Sequence, residues 1–322
     1  MSKSIQVLKP ATADNFEEQA YLAANAGVRA AVERGQFESG RHHFEVFGQH
    51  EQRKLFDEGR IRQVIALRRE KMKRLQPFLD ESQPYRVDEE TGQIDFMTPE
   101  IRQQFNITST ENVSAHDYDQ QTIELIDAHA GGLLLDFGSG LRSTYYEDVV
   151  NFEIAPFYST DVSGVGERLP FSDATFDVVF CLAVLEHVTD PFACAAEIGR
   201  VLKPGGTLLS QVPFLHEYHG FPHHYFNMTL QGHRRLFEDD FEIVELTVPW
   251  HMWPIKGLGR FLRIYRQSLT GEDRAEFEQM TVREIIDRDF YAHCRHGYAV
   301  NLDEKTREVL AGGSVLVGKR KS

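Results

Sequence analysis

The 322 residues are 41% hydrophobic and include 23 phenylalanines, enough for a sizeable core, which excludes global disorder. Forty-nine acidic against 35 basic residues give a formal charge of −14, a field that repels a phosphate backbone and disfavours nucleic acid as a general partner. Three scattered cysteines exclude a cysteine zinc ribbon and a disulfide framework, and with no signal-like leader and no apolar run of roughly 18 residues, a cytoplasmic protein without a membrane span is expected.

Residues 15–35 are rich in Ala and Glu and predict a helix that Asn15 caps and Gly35 stops. Residues 49–79 predict a longer one, with Leu55, Ile61, Val64, Ile65, Leu67, Met72 and Leu75 at helical spacing. Its basic run RIRQVIALRREKMKR (60–74) reads as a solvated helix face, the alternative being a contact with RNA or an anionic glycan. Residues 80–115 are polar and turn-rich, and DEETGQIDF suggests a small hairpin. Residues 1–115 therefore read as a mainly helical N-terminal extension or cap.

The main domain, 116–322, opens with a helix through AHDYDQQTIELIDAHAGG. Strands are then expected at 132–137, 149–154, 160–164, 176–181, 206–212, 241–248 and 313–319, with helical stretches at 183–202 and 228–237. A helical insertion, 249–312, separates the last two strands. Such alternation predicts an α/β fold with a Rossmann-like, seven-stranded, mostly parallel sheet. The strand returning at the C-terminus, GGSVLVGKRK, is the candidate for its one reversed member.

The stretch LLLDFGSGLRSTYYEDVVNFE (133–153) reads as a buried strand, a glycine turn, a short helix and a second strand ending on an acid. Gly138 and Gly140 let the backbone turn sharply and approach a ligand closely. Asp136, at the end of the strand, needs a donor or a cationic ligand if buried. Glu153 lies where a carboxylate can accept both hydroxyls of a ribose. Arg142 stands where a dinucleotide-binding loop has a further small residue.

Downstream come LPF-x-D at 169–173, FDVV at 176–179, LEHV at 185–188 and RVLKPGG at 200–206. With LDFGSG at 135–140, these pieces resemble in order and spacing the class I S-adenosylmethionine-dependent methyltransferases of the type 11-like kind. The resemblance covers about 131–248 and extends to 313–319. It implies S-adenosylmethionine as cofactor, with Asp136, Gly138, Ser139 and Gly140 along its amino-acid end. It also implies Glu153 at the ribose, Gly166 and Glu167 beside the adenine, and Leu182 and Ala183 touching the cofactor again. Asp161 is the rival for the ribose. Two positions depart from the family pattern: Arg142 replaces the third glycine of the loop, and Val165 stands where an aspartate is often found. S-adenosylmethionine has no pyrophosphate to press against a helix N-terminus, so the loop can do without that glycine.

The acceptor is read by exclusion. No D/N-P-P-Y/F tetrad follows the fourth strand, and no Pro-Cys nucleophile exists, which leaves a hydroxyl or a small amine. His216, His219, His223 and His224 crowd into PFLHEYHGFPHHYFNMT (213–229). They read as loop histidines bonded to neighbours, as a general base, or as metal ligands; His219 and His224 are the candidate bases. Glu186-His187 resembles the E-x-x-E-H pattern of ubiquinone-pathway O-methyltransferases and small-RNA ribose methyltransferases, but Ala183 replaces its first glutamate, and no metal is assigned. Residues 213–237 also resemble methyltransferases of sugar and cell-surface polysaccharide assembly. This implies O-methylation of a sugar or other small hydroxylated metabolite. A catalytically inactive, cofactor-binding regulatory or interaction protein is the alternative. A nicotinamide-dependent oxidoreductase is disfavoured, because Tyr145 and Tyr146 lack a lysine four residues on.

Overall fold

The computed structural model describes residues 1–107, 117–220 and 222–320. The chain divides into two compact units, Met1–Val212 with Phe221–Phe226 and Gln231–Glu242, and Pro213–Gly220 with Asn227–Leu230 and Ile243–Ser322. The boundary expected at 116 lies outside the described residues, and the segments on both sides of it belong to the first unit.

The first unit opens with two short strands, β1 (Ser4–Gln6) and β2 (Leu8–Pro10). The helix expected over 15–35 is two helices, α1 (Glu18–Ala24) and α2 (Ala26–Glu33), broken at Asn25 by an extended φ of −133°. After α3 (Gly40–His43) and β3 (Lys54–Phe56), Asp57 caps α4 (Glu58–Leu75), accepting from the Arg60 N–H. The expected hairpin forms from β4 (Arg86–Val87) and β5 (Ile94–Asp95), followed by α5 (Pro99–Gln104) and α6 (Gln120–Ala128). Then come β6 (Leu134–Phe137), β7 (Thr144–Tyr146), β8 (Val149–Glu153), β9 (Val162–Ser163) and β10 (Phe176–Leu182). Helix α7 (Pro191–Val201) leads into β11 (Leu202–Gln211), and α8 (Leu230–Phe237) follows.

Seven strands make one sheet in the order β11-β10-β6-β8-β9-β5-β4. Every neighbouring pair is parallel except β4 with β5, so the sheet is mostly parallel with one reversed strand. Strands β6 and β8 are buried along their whole length, as expected of continuous apolar runs covered on both faces. Register is fixed by Val178 against Leu134 and Leu134 against Val149. Ile126, Val149, Val178 and Phe180 pack together on one face.

Three expectations are corrected. The reversed strand is β4, from the N-terminal hairpin, because β5 pairs in parallel with β9 and fills that edge. Residues 241–248 and 313–319 form no strand, and Val315, Leu316 and Val317 are exposed: an alternating apolar pattern without a ladder partner does not make a strand. The short helix expected after the glycine turn is strand β7, whose Thr-Tyr-Tyr suits an extended chain and pairs antiparallel with β1, Ile5 opposite Tyr145. Around Tyr145 gather Ile5, Val7, Tyr21, Phe44, Leu55 and Val64, a core built by the first 64 residues.

The basic run of α4 is only in part a solvated face: Arg60, Arg62, Arg69 and Lys73 are exposed. Arg68 and Lys71 are buried, both paired with Asp161, at 3.0 and 2.7 Å. Arg74 pairs with Asp148 at 2.8 Å and donates to the Gly131 and Gly132 carbonyls, while Arg69 donates to Glu89 and Glu90 carbonyls. Arg68, Lys71 and Arg74 fasten α4 to the sheet, and Arg69 fastens it to the hairpin.

The second unit is helical: α9 (Pro254–Ser268), α10 (Gly271–Gln279), α11 (Val282–Asp287), α12 (Phe290–His293), α13 (Gly297–Val300) and α14 (Glu304–Val309). Its small core centres on Leu269 and Tyr298, with Tyr265 stacked on Phe277 at 4.8 Å. Among the described residues no helix is long and apolar enough to cross a membrane.

Candidate cofactor site

The expected residues converge at the C-terminal ends of β6, β8 and β10, where open α/β sheets bind ligands. Gly138 and Gly140 take positive φ, 71° and 61°. A Cβ at Gly138 would lie 2.5 Å from the Val184 side chain, so this glycine is required by close approach of the next turn. The amides of Gly138 and Ser139 donate to the Phe152 carbonyl, and the amide of Gly140 donates to Glu153 Oε2 at 2.7 Å. Ser139 is buried, with its hydroxyl turned back to the Gly140 carbonyl.

Glu153 is buried, and its other oxygen accepts the Ile154 amide at 2.7 Å. Burial pushes its carboxyl up to about 7 against these two amide bonds. A carboxylate accepts up to about four hydrogen bonds, so capacity for two ribose hydroxyls remains. The rival Asp161 is placed differently: besides Arg68 and Lys71 it accepts from the Tyr145 hydroxyl at 2.5 Å and the Asn151 amide at 2.9 Å. Its acceptor capacity is filled from within the protein.

Asp136 has the cationic partner its burial demanded, and that partner is Arg142. Nε of the guanidinium lies 2.8 Å from Oδ2 and Nη2 lies 3.2 Å from Oδ1, with the Tyr118 hydroxyl also donating to Oδ2. The Tyr118 ring lies under the guanidinium at 4.2 Å. Both members of the pair are sealed from solvent. The charge of Asp136 is thus met by Arg142, with Tyr118 as a further donor.

Gly166 packs against β6, where a Cβ would lie 2.3 Å from the Phe137 ring. The Glu167 carboxylate is committed to the Thr189 amide and hydroxyl at 3.0 and 2.8 Å, so it orders the approach to α7. Leu182 ends β10, and Ala183 follows with φ of 58°, a left-handed conformation that costs a non-glycine residue strain. The helix expected over 183–202 begins only at Pro191, capped by Asp190, whose carboxylate accepts the amides of Phe192 and Ala193 at 3.0 Å. Residues 183–190 are a turn without helix, and its Val184 side chain packs against Gly138 of the glycine loop.

That turn, in a stretch expected to be helical, carries Glu186. Glu186 is buried, and burial pushes its carboxyl up to about 7. Its backbone carbonyl accepts the amides of Tyr225 and Phe226, and its Oε1 lies 3.7 Å from His187 Nε2. His187 Nδ1 bonds the His223 carbonyl at 2.7 Å, and the His187 and His224 rings lie 5.6 Å apart. Residues 223–226 are thereby held beside Glu186 within the first unit. His224 bonds the Phe226 carbonyl at 3.2 Å, and His223 bonds the Asn106 carbonyl at 2.7 Å. His219 belongs to the second unit, where it bonds the Glu217 carbonyl at 2.8 Å and packs on His216 at 4.0 Å. The Asp190-Pro191 pair, a helix-start signal, marks Glu186 as lying before the helix.

A cavity of about 870 Å³ elsewhere in the first unit is lined by Leu79, Asp80, Gln83, Arg168, Phe171 and Arg200. It includes none of the expected cofactor residues, and Arg200 in it is already paired with Glu197 and Asp173.

Residues 135–210 match the family model described as Methyltransferase domain. The chain is 53% identical over 38 residues to cycloartenol-C-24-methyltransferase 1 of Oryza sativa, covering 12% of this chain and 11% of that one. It is 34% identical over 88 residues to demethylmenaquinone methyltransferase of Mycobacterium marinum, covering 27% and 34%. Among solved structures, phosphoethanolamine N-methyltransferase 2 of Haemonchus contortus, in complex with S-adenosyl-L-methionine, is 16% identical, covers 56% of this chain and 47% of that one, and gives a TM-score of 0.31. The chain spans about a tenth to a third of the length of these two curated relatives. Residues 135–210 thus carry the sequence pattern of a methyltransferase domain. S-adenosylmethionine is the cofactor of that domain.

Proposed function

We propose that the protein transfers a methyl group from S-adenosylmethionine to a hydroxyl of a sugar or other small hydroxylated metabolite. The observation that carries the transferase reading is the convergence of the Gly138–Gly140 turn, Glu153 and the strained Ala183 at one end of the sheet, inside the segment that matches a methyltransferase domain. The cofactor supplies a methyl activated on a sulfonium. The chain supplies alignment and a group to take the acceptor's proton, with His219, His224 and Glu186 as candidates. The two curated relatives are named for cycloartenol and demethylmenaquinone, and each is matched over a short segment, so the acceptor is argued from this chain alone. The formal charge of −14 disfavours polyanionic acceptors, and the aromatic and histidine-rich stretch 213–226 favours a polar ring.

A second reading is a cofactor-binding protein without catalysis, acting as a regulator or interaction partner. Arg142 favours it, since its pairing with Asp136 occupies a charge that the resemblance assigns to the cofactor's amino-acid end. Calorimetric titration with S-adenosylmethionine, followed by turnover assays on a panel of monosaccharides and small hydroxylated metabolites, separates the two. Binding with turnover on a hydroxyl is the expected result; binding without turnover across the panel transfers support to the second reading, and absence of binding overturns both.

A further inference from the structure

The second unit carries an amphipathic face on and just before α9. From Leu246 to Gly271 the sequence is LTVPWHMWPIKGLGRFLRIYRQSLTG, with Lys256, Arg260, Arg263 and Arg266 and not one acid, in a chain of charge −14. Both tryptophans of the protein are here, immediately before α9: Trp250 is 77% exposed and Trp253 is 55% exposed. Along α9, Ile255, Leu258 and Phe261 recur at a spacing of three and are exposed at 71%, 52% and 41%. At 100° per residue, Ile255, Leu258, Phe261, Leu262 and Tyr265 share one arc of the helix, and Lys256, Arg260, Arg263 and Arg266 share the flanking one. Within the apolar arc Tyr265 is half-buried and stacks on Phe277, and on the cationic arc Arg260 pairs with Glu217 and Arg266 with Glu278. The Tyr265 hydroxyl also donates to the Tyr298 carbonyl; these contacts tie α9 to its own unit, while Ile255, Leu258, Lys256 and Arg263 are exposed.

Scattered apolar residues on a surface are ordinary, but two tryptophans and three large aliphatic or aromatic side chains beside a run of cations form a contiguous patch. Tryptophan at the entry, an apolar stripe, a basic flank and low overall hydrophobicity describe a helix that lies in the headgroup region of a bilayer without spanning it. The charge selects the lipid: an acid-free basic segment on an otherwise acidic protein is attracted to an anionic bilayer while the rest of the chain is repelled. We propose that Trp250, Trp253 and the exposed face of α9 dock the protein peripherally on a membrane surface of anionic lipid. A soluble protein partner, or burial of this face elsewhere in the chain, are the competing outcomes.

The full-length protein is mixed with vesicles of phosphatidylcholine alone and of phosphatidylcholine with phosphatidylserine. Sedimentation and intrinsic fluorescence are read together, and because both tryptophans lie in the patch, the emission reports on the patch alone. The expected result is water-exposed emission in the free protein, with a blue shift and co-sedimentation only with the phosphatidylserine vesicles, both reversed by salt. Lys256→Glu with Arg263→Glu should lower partitioning by about fivefold for each cation removed, so at least about 25-fold for the pair. Trp250→Ser with Trp253→Ser should abolish co-sedimentation. Emission already blue-shifted in the free protein, no binding to anionic vesicles, or binding that survives both double variants overturns the proposal.

Discussion

Replacing Asp161 by alanine gives the sharpest test of how the N-terminal segment is joined to the sheet. Its carboxylate accepts from Arg68 Nε at 3.0 Å, Lys71 Nζ at 2.7 Å, the Tyr145 hydroxyl at 2.5 Å and the Asn151 amide at 2.9 Å. Arg68, Lys71 and Asp161 are each at most 1% exposed. Removing the acid leaves two buried cations without their counter-charge, and breaking one buried pair in this way costs about 3–5 kcal/mol. The orphaned hydroxyl and amide add about 1–3 kcal/mol each. A loss of at least about 5 kcal/mol is expected, a large share of the roughly 5–15 kcal/mol that holds a typical domain together. In urea this moves the unfolding midpoint down by roughly 1–2 M or more. The companion variant Arg68→Met, Lys71→Met, Asp161→Leu should recover much of the loss, because it removes the charges together and fills the space. A stable Asp161→Ala protein with weakened S-adenosylmethionine binding would refute the reasoning and return the ribose to Asp161.

Two further outcomes follow from the site. Glu153 and Glu186 are both raised by burial from ordinary carboxyl values to about 7, so the folded state favours their protonated forms. The stability they contribute is fully present below about pH 4.5 and is lost as pH rises through about 7, and Glu153→Gln should remove about 3 kcal/mol of that decline, seen as a smaller difference between urea midpoints at pH 5 and pH 8; identical slopes in wild type and variant would mean Glu153 is ionised throughout. If one of the favoured histidines takes the acceptor proton, His219→Gln or His224→Gln should cut turnover by about 10²–10⁴ with cofactor affinity unchanged, and near-native turnover in both shifts the role to another group such as Glu186.

What was legible in the sequence was what short-range pattern encodes. The buried runs of β6, β8 and β10 and the positive-φ glycines between them lie where the apolar runs and the glycine spacing put them. The N-terminal contribution was not legible, because it consists of distant pairings of two or three residues, such as Ile5 with Tyr145 and Ile94 with Val162. No local periodicity announces a strand that short. The same holds for Arg68 and Lys71: a charge run normally marks a solvated face, and the fact that reverses it is Asp161, some ninety residues away. Leu-Glu-His-Val was read as helix although Asp190-Pro191 fixes the helix start after it. Local chemistry carried the correct signal there, and the apolar pattern overrode it.

Arg142 shows how a departure from a motif can be compensated. A third glycine there would leave Asp136 buried with the Tyr118 hydroxyl as donor and no counter-charge, so the arginine and the aspartate stand or fall together. The arginine is also pinned along its backbone, its amide donating to Ser159 Oγ at 3.1 Å and its carbonyl accepting from the Tyr158 hydroxyl. Those bonds direct the chain out of the glycine turn and into β7, where β1 pairs with it. A helix at that point would have presented its N-terminus, a ready site for an anionic group, and the strand offers none. With that helix replaced by strand, the first residues of the chain become part of what holds the segment after the glycine turn in shape.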